Sequence, residues 1–218
     1  MRSMNDMALN CAGLVNSPDD PEALGYAVSG LQEAVDFLNL RLWNWQLRTS
    51  GFALVAGRTD YAFPVGVRGT RQFSMLNGSN RIPVGYLDPK SFFLEWSSTC
   101  AGNASAYTLM PAAGSTSFVR LSHAPTADSL VTYPSGELVY YERITYPTNT
   151  ASGIDVPPEV ERVIMEFARA YISERFDPSK AGLPQKRFEE GYRQLRINQS
   201  LDEGSDWSED SNSANRTR

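Results

Sequence analysis

The sequence predicts an α+β protein. Helices from both ends of the chain form one bundle, and the middle of the chain is an inserted antiparallel β-sandwich or barrel module. Apolar residues recur at helical spacing near both ends, whereas the middle alternates with a period of two between glycine- and proline-containing turns. Each helical stripe needs an apolar partner, and the other stripe is the obvious one. The predicted segments are 1–50 for the N-terminal helices, 51–153 for the β module, 154–199 for the C-terminal helices and 200–218 for a tail.

The composition is typical of a water-soluble globular protein. Hydrophobic residues make up 41% of the 218 residues, and the formal net charge is −5. This acidic balance gives no indication of a surface that coats DNA. No long apolar run follows the first residues, so we expect neither a signal peptide nor a membrane span. Cys11 and Cys100 lack metal-ligand spacing, and we expect them to be reduced and mostly buried thiols.

The first strong helical pattern lies in residues 19–48. It begins with Asp19, Asp20 and Pro21, a combination typical of a helix start. The apolar stripe behind it has alternating steps of four and three residues, as in a helix that packs lengthwise against other helices. Its members are Leu24, Val28, Leu31, Val35, Leu38, Leu42 and Trp45. A flank of small residues beside it would let a neighbouring backbone approach closely; these are Ala27, Gly30 and Ala34. A shorter amphipathic helix is predicted at 4–11.

The period changes to two at Gly51. Segments 52–55 and 61–65 are predicted to pair as a hairpin across a turn at 57–60. Asn77 and Gly78 form a sequence typical of a hairpin turn. Further predicted strands are 72–76, 82–86, 107–110, 118–121, 130–133 and 138–146. Asp88 could instead cap a short helix, and the sequence leaves helix and strand open for 88–103.

Helical spacing returns at Pro157. Pro158 and Glu159 mark the start of a helix that ends before Asp177 and Pro178. A last helix is predicted from 184 to about 199, with an apolar stripe of Phe188, Tyr192 and Leu195. From position 200 the chain is polar, and Trp207 is the only large apolar residue after Leu201. Such a composition predicts a tail that is disordered unless a partner orders it.

Residues that could carry catalysis are scarce. His123 is the one histidine, and nothing near it in sequence resembles an activated nucleophile, so we expect it to form only local hydrogen bonds. No glycine-rich phosphate-binding motif is present. Carboxylate pairs such as Glu189 and Glu190 are typical of solvated helix faces. The sequence therefore predicts a protein that is not an enzyme and that uses neither a cofactor nor a metal.

Aromatic residues leave two alternatives open. Trp43 lies two positions from Trp45 and off the apolar stripe, so it is either a core residue where helix meets sheet or an anchor for a neighbouring subunit. Four tyrosines could stack sugars on a binding module, although their spacing is more typical of sheet faces. These are Tyr133, Tyr140, Tyr141 and Tyr146.

The order of these segments resembles the adaptor proteins of tailed phages, and is similar to the tail tubular protein A type. The resemblance runs from the helix and its Leu-Trp-Asn-Trp end at 42–45, through Phe52-Ala-Leu-Val-Ala-Gly, Asp60-Tyr-Ala-Phe-Pro, Arg81-Ile-Pro-Val and Phe118-Val-Arg-Leu, to Val156-Pro-Pro-Glu. Together these segments span about 19–199.

The resemblance implies a structural virion protein of the neck or tail that is assembled in the host cytoplasm. It implies a ring of about twelve copies that joins the portal to a tail nozzle or tube and lines the DNA exit channel. DNA would pass through the lumen without sequence-specific binding. Four residues are candidates for portal or subunit contacts: Trp43, Arg193, Arg196 and Trp207. The alternative function is a carbohydrate- or ligand-binding β module of a phage tail or coat component.

Overall fold

The computed structural model describes residues 2–63, 66–96, 100–110, 118–147, 149 and 151–213, with side chains described up to Ser200. The fold is α+β, as predicted, and combines helices with a curled seven-stranded sheet. In chain order the described elements are α1 (Met4–Leu14), α2 (Pro21–Leu38), β1 (Leu47–Ala53), β2 (Asp60–Ala62), β3 (Val67–Asn77), β4 (Asn80–Tyr86), α3 (Pro89–Glu95), β5 (Cys100–Ala101), β6 (Ala106–Met110), β7 (Phe118–Leu121), β8 (His123–Ala124), α4 (Ala127–Thr132), β9 (Ser135–Glu142), α5 (Pro158–Phe176) and α6 (Gly182–Ser213).

The chain divides into two compact units, each with its own hydrophobic core. The helical unit consists of Met1–Trp45 and Ile144–Arg218, and the sheet unit of Gln46–Arg143. Among the described helices, none combines the length and the hydropathy needed to cross a bilayer. Cys11 is buried in the helical unit as expected, whereas Cys100 is exposed, contrary to expectation, on the two-residue strand β5.

Helix α2 begins where the sequence predicts but ends earlier. The Asp20 carboxylate accepts a hydrogen bond from the Glu22 amide at 3.0 Å, with Pro21 in the first turn. The helix ends at Leu38, and Asn39 caps it. Leu42 and Trp45 therefore lie outside the helix, and their prediction as stripe members is wrong. A periodic apolar pattern does not show where a buried polar residue diverts the chain.

Helices α2 and α5 pack against each other in one bundle, as the two apolar stripes predict, and they run antiparallel. Tyr26, near the start of α2, contacts Phe176 at the end of α5, with 5.6 Å between ring centroids. Phe37, near the end of α2, stacks on Phe167 at 6.0 Å. The helices approach most closely at Gly30, where an added Cβ would stand 3.1 Å from Tyr171. The small-residue flank therefore provides the close contact, while Leu24 and Val28 of the stripe are only partly buried.

Helix α6 packs on this pair with the predicted stripe. The Phe188 and Tyr192 rings both contact Phe37, with centroids 5.8 and 5.2 Å away. The helical backbone continues to Ser213, beyond the end predicted near Gln199. A helix that is already packed can be extended without a new, unfavourable nucleation step. For this reason the polar composition of the tail does not indicate where the helix ends. The side chains beyond Ser200 and residues 214–218 lie outside the described part.

The sheet of the sheet unit has the strand order β1-β9-β3-β4-β6-β7-β2. The predicted hairpin between 52–55 and 61–65 is wrong, because β1 pairs with β9 and β2 pairs with β7. Residues 64–65 lie outside the described part. The hairpin at Asn77 and Gly78 is confirmed: β3 and β4 pair across it, and Gly78 has a φ of 59°. The pairing is not antiparallel throughout, since β4 and β6 run parallel, as do β5 and β8.

Two short helices lie where the sequence was ambiguous or misleading. Asp88 caps α3 by accepting a hydrogen bond from the Ser91 amide at 3.1 Å, so the helical alternative is correct for Pro89–Glu95. The hydrogen bonds from Ser91 lower the pKa of the Asp88 carboxyl. The strand predicted at 130–133 is wrong. Thr126 and Ser129 form a reciprocal capping box there that starts α4.

Gly136 leaves room for an aromatic ring in the core of the sheet unit. It lies on the strand β9, opposite Phe52 of β1 and Met75 of β3. An added Cβ would stand 2.8 Å from the Phe73 ring, so a side chain at 136 would displace that ring. Without one, Phe52 and Phe73 stack with centroids 5.7 Å apart. This aromatic pair is central to the core of the sheet unit.

Candidate interaction surfaces

The segment between α2 and β1 is held firmly in the helical unit, although it has little regular structure. The Asn39 side chain donates a hydrogen bond to the Ile144 carbonyl and accepts one from the Ile144 amide, both at 3.0 Å. Gln199 of α6 donates to the Leu42 carbonyl at 2.7 Å. These bonds tie residues 39–42, named here the 39–42 loop, to two distant parts of the chain.

Trp43 fills the core directly after the 39–42 loop. Its indole Nε1 donates to the Leu38 carbonyl at 2.8 Å, and its ring contacts the edge of Tyr192 with centroids 5.8 Å apart. Only 1% of Trp43 is exposed. Of the two alternatives left open by the sequence, this position corresponds to the core residue.

The 39–42 loop displays two leucines on this rigid support. Leu40 is 76% exposed and Leu42 is 40% exposed, although the neighbouring Asn39 and Trp43 are buried. An exposed leucine is common, but one on a loop fixed from both sides loses little conformational freedom when a partner covers it. Leu40 was not singled out from the sequence. The sequence feature that could have indicated Leu40 is its position: it is an apolar residue two positions after Leu38 and therefore lies outside the apolar stripe.

A cleft with a volume of about 330 Å³ lies between α5 and α6. Val163 and Leu195, both at most 7% exposed, contribute its apolar lining. Gly191 lies where the helices meet, since an added Cβ would stand 2.8 Å from a Val163 methyl group. The remaining lining residues are polar: Glu159, Arg162, Arg187, Glu190, Gln194 and Asn198. We call this feature the α5–α6 cleft. Sequence reasoning missed it because it depends on how two helices pack.

The rim of the α5–α6 cleft carries two carboxylates and two guanidinium groups. Within the described residues, none of these four side chains forms an ion pair or a hydrogen bond, and all four are exposed. Gln194 and Asn198, in contrast, are joined by a hydrogen bond of 3.0 Å. The cleft therefore offers an apolar lining next to charged groups of both signs, none of which forms an ion pair with another described residue.

The other sequence-predicted contact residues do not join Trp43 in one surface. Arg193 and Arg196 are exposed on α6, and in the part of the chain that the structure describes neither has a hydrogen bond or ion pair. Trp207 lies on the helical backbone of the same helix, but its side chain is outside the described residues. The two arginines are therefore accessible to a partner, unlike Trp43.

The sheet unit has an exposed apolar surface of its own at α3. Phe92 is buried, whereas Phe93 is 40% and Leu94 is 77% exposed. The Arg120 guanidinium lies 5.7 Å from the centroid of the Phe93 ring. Two hydrogen bonds of 2.7 Å join Arg120 to the Asp60 carboxylate, so this cation is fixed beside the aromatic ring.

His123 forms local hydrogen bonds, as expected. The Ser122 hydroxyl accepts bonds from the Ser105 and Ala106 amides at 3.1 and 3.0 Å, and lies 3.0 Å from His123 Nδ1. The Ser122 hydroxyl also lies 3.4 Å from the Ser105 hydroxyl. These short-range contacts join residues at the ends of β6, β7 and β8. No group of three or more histidine, cysteine and acidic residues in the described ranges could hold a metal ion.

The tyrosines considered as sugar platforms are mostly parts of the two cores. Tyr140 is 5% exposed in the core of the sheet unit, and Tyr133 packs against the same core. Tyr146 packs against the core of the helical unit, and burial raises the pKa of its phenol. Tyr133 and Tyr140 therefore contribute to packing in the sheet unit, and Tyr146 to packing in the helical unit.

A comparison with models of protein families gives a match. A family model described as SU10 adaptor protein matches residues 2–218, and so includes residues of both units. No curated protein matches the chain.

Proposed function

Because the chain belongs to the SU10 adaptor protein family and is therefore a structural component of a phage virion, we propose that it forms the ring that joins the portal to the tail. In this proposal about twelve copies surround a channel through which the genomic DNA leaves the head. The portal lies on one side of the ring and the tail nozzle or tube on the other, as in the tail tubular protein A type.

The main support is the distribution of exposed apolar residues over two units with separate cores. The helical unit displays Leu40 and Leu42, and the sheet unit displays Phe93 and Leu94. Exposed apolar groups on a fixed framework are typical of protein–protein contacts. A protein that joins two different partners needs at least two such surfaces, and this chain has one on each unit.

The charge of the chain is compatible with a channel for DNA. At a formal net charge of −5, the chain has no overall attraction for phosphate groups. A channel wall that bound DNA strongly would slow its passage. We therefore propose that DNA passes through the ring without sequence-specific contacts, and the proposal assigns no reaction to the chain.

Recruitment by purified portal tests this function. A subunit that closed rings by itself would assemble away from the head, so we expect the free protein to be largely monomeric in light scattering. Addition of portal should then recruit many copies, visible by negative-stain electron microscopy as a ring below the portal. A stable trimer that ignores portal would contradict the proposal and favour a carbohydrate- or ligand-binding component of the tail or coat.

A further inference from the structure

Strand β1 lies at one edge of the sheet and leaves one side of its backbone unpaired. In an antiparallel pair, one residue bonds the neighbouring strand with both its N–H and its C=O, and the next residue points both groups away. The Leu54 amide donates to the Pro134 carbonyl at 3.0 Å, in register with the pairing of β1 and β9. Thr49, Gly51 and Ala53 therefore point their backbone groups away from β9. All three residues are exposed, and within the described chain none of these groups has a hydrogen-bond partner.

The opposite edge of the sheet, β2, is closed by the chain's own residues. Strand β2 has three residues. The Leu121 amide donates to the Thr59 carbonyl at 2.9 Å, so the next residue, Asp60, points its backbone groups away from β7. The Asp60 carbonyl accepts a hydrogen bond from Arg58 Nε at 2.7 Å. A short strand whose outward carbonyl is already occupied is a poor site for a further strand.

Strand β4 also has an unpaired stretch, because it pairs with β6 only at Gly85 and Tyr86. The Gly85 amide donates to the Ser105 carbonyl on the β6 side, so Pro83, two positions earlier, faces the same side. Proline has no N–H and prevents pairing at sheet edges. In contrast, β1 has seven residues, and its outward-facing positions hold neither proline nor a charged residue. An added strand therefore fits the edge of β1 better than that of β2 or β4.

The chemistry of the β1 edge determines what can bind it. Backbone donors and acceptors that recur at every second residue match the spacing of another extended chain. Gly51, in the middle of the edge, leaves space on the sheet face, since an added Cβ would meet only the Gly136 carbonyl oxygen, at 3.9 Å. An added strand could place a large side chain beside this glycine.

The ring arrangement argues against a second copy as the source of that strand. Two copies joined through β1 would form a two-fold pair, which leaves no contact to continue around a ring. The β2 and β4 edges of a neighbouring copy are closed. The candidate portal contacts Arg193, Arg196 and Trp207 all lie on α6 of the helical unit. The tail protein is the remaining partner for β1 in the sheet unit.

We propose that the tail nozzle or tube protein supplies an extended segment that pairs with β1, through the backbone groups of Thr49, Gly51 and Ala53. The inference rests on the proposed ring function and names one contact between the ring and the tail. Main-chain hydrogen bonds provide the affinity in strand addition. The segment is therefore recognised first by its extended backbone.

Hydrogen–deuterium exchange tests the contact in the assembled complex. Rings assembled on portal are compared before and after addition of the purified tail nozzle or tube protein, and exchange is followed in peptides that cover Leu47–Ala53. Before addition, the amides of Thr49, Gly51 and Ala53 should exchange rapidly, whereas the amides between them are protected by β9. After addition, we expect the rapid exchange at these three amides to be lost.

A substitution provides a second readout. Gly51→Pro removes an amide that the added strand needs and none that pairs with β9. Gly51→Ala is the matched control, since it keeps the amide and its Cβ has room. Gly51→Pro should bind the tail protein roughly tenfold more weakly than Gly51→Ala, while both variants are recruited equally to portal. Equal tail binding by the two variants would overturn the pairing.

Melting temperatures show first whether the proline variant folds. If Gly51→Pro does not fold, Ala53→Pro takes its place, because the Ala53 amide also points away from β9. Its control is the wild-type chain, in which Ala53 keeps that amide. The exchange measurement needs no substitution and stands by itself.

The outcomes separate this contact from the ring function. Rings that bind the tail protein with unchanged exchange at the three amides overturn the strand addition and leave the ring function standing. Protection that is present already in the free protein assigns the edge to a second copy, and protection on portal alone assigns it to the portal or a neighbouring copy; both overturn the inference. Failure of rings to form on portal, or of rings to bind the tail protein, overturns the proposed function together with this contact.

Discussion

Asn39 is a buried polar residue whose side chain joins the end of α2 to Ile144, at the start of the chain's return to the helical unit. Asn39→Leu would keep much of the volume but leave the amide and carbonyl of Ile144 without these partners. Each such loss typically costs about 1–3 kcal/mol. We therefore expect a clearly lower melting temperature, measured by circular dichroism.

Gln32→Leu is the control for Asn39→Leu, because Gln32 is exposed on the same helix. It should change the melting temperature little. If Asn39→Leu and Gln32→Leu had the same melting temperature, the two hydrogen bonds between Asn39 and Ile144 would not be what holds the 39–42 loop in place.

The two thiols differ enough in environment to be told apart chemically. Burial raises the pKa of Cys11 from 9.0 to about 12, whereas Cys100 is exposed. With a thiol reagent at pH 8, we expect one rapid reaction at Cys100 and a second only after denaturant is added. Cys100→Ser should abolish the rapid phase. Two rapid phases in the native wild-type protein would contradict the burial of Cys11.

The same burial predicts a pH effect with a definite sign. Above pH 9 the unfolded chain loses the Cys11 proton that the folded chain keeps, so this group favours unfolding there. Its contribution is absent below about pH 9 and lowers stability by about 1.4 kcal/mol per pH unit as the pH rises towards 12. Cys11→Ala should flatten the stability between pH 9 and 10 in urea titrations. An equally steep loss in this variant would assign the effect to other groups.

At the residue scale, the sequence indicates which residue types lie in the core more reliably than where each one points. Trp45 fits the apolar stripe and Trp43 does not, yet Trp43 is the buried one. The reason is that α2 ends at Leu38, so helical spacing no longer applies beyond it. Leu40 and the α5–α6 cleft were not predictable, because exposure and a gap between helices are products of packing.

For helices and strands too, the sequence predicts local features better than long-range contacts. Long amphipathic helices such as α5 follow directly from apolar periodicity. Strand positions also follow, but strand partners do not: alternation at 52–55 gives a strand, while its pairing with β9 is a long-range contact. The helix α4 was mistaken for a strand because its Thr126–Ser129 capping box outweighs the preference of its short apolar residues.

The close approach of α2 and α5 provides a test at the scale of elements. Gly30→Leu places a side chain where even a Cβ would stand 3.1 Å from Tyr171 and 3.2 Å from the Ala168 backbone. Overpacking of this kind typically costs about 1–3 kcal/mol. Gly25→Leu, on the same helix with nothing within 4 Å of its Cβ position, should be neutral or stabilising by about 0.5–1 kcal/mol. Thermal unfolding of both variants gives the comparison, and equal melting temperatures would refute the close contact.

On the scale of the whole molecule, the chain leaves the helical unit after Trp45 and returns at Ile144. The packing of helices from both chain ends was predictable because two exposed apolar stripes in one chain are stabilised by covering each other. The curled sheet was predictable only as a class, since its parallel pair β4–β6 has no local signature. The contacts that we propose with the portal and the tail would be a property of the assembly, and the sequence indicates only candidate residues for them.

The segment 200–218 provides the last test, because it separates folding from attachment. The described tertiary contacts of α6 extend to Gln199, which donates to the Leu42 carbonyl, and Leu195 is the last buried apolar residue before it. Deletion of 200–218 keeps both residues. We therefore expect the melting temperature to change very little.

Attachment to portal should respond differently to that deletion. The segment contains Trp207 among Asp206, Glu209 and Asp210, and it follows the exposed Arg193 and Arg196. We propose that it lies along the portal, with Trp207 as an apolar anchor and the carboxylates next to basic residues. A desolvated anchor contributes roughly 2 kcal/mol or more, and its loss in every subunit of a ring weakens attachment multiplicatively.

The measurement is co-sedimentation of portal with the full chain, the truncated chain and Trp207→Ala. The truncated chain should no longer sediment with portal. Trp207→Ala should bind portal more weakly than the full chain but more tightly than the truncated chain, because it lacks only the anchor and keeps the rest of the segment. Binding of portal should also shift the tryptophan emission of the full chain and not that of Trp207→Phe, which keeps the other three tryptophans. A truncated chain that binds portal as tightly as the full chain, together with identical emission from both proteins, would show that the segment plays no part in attachment.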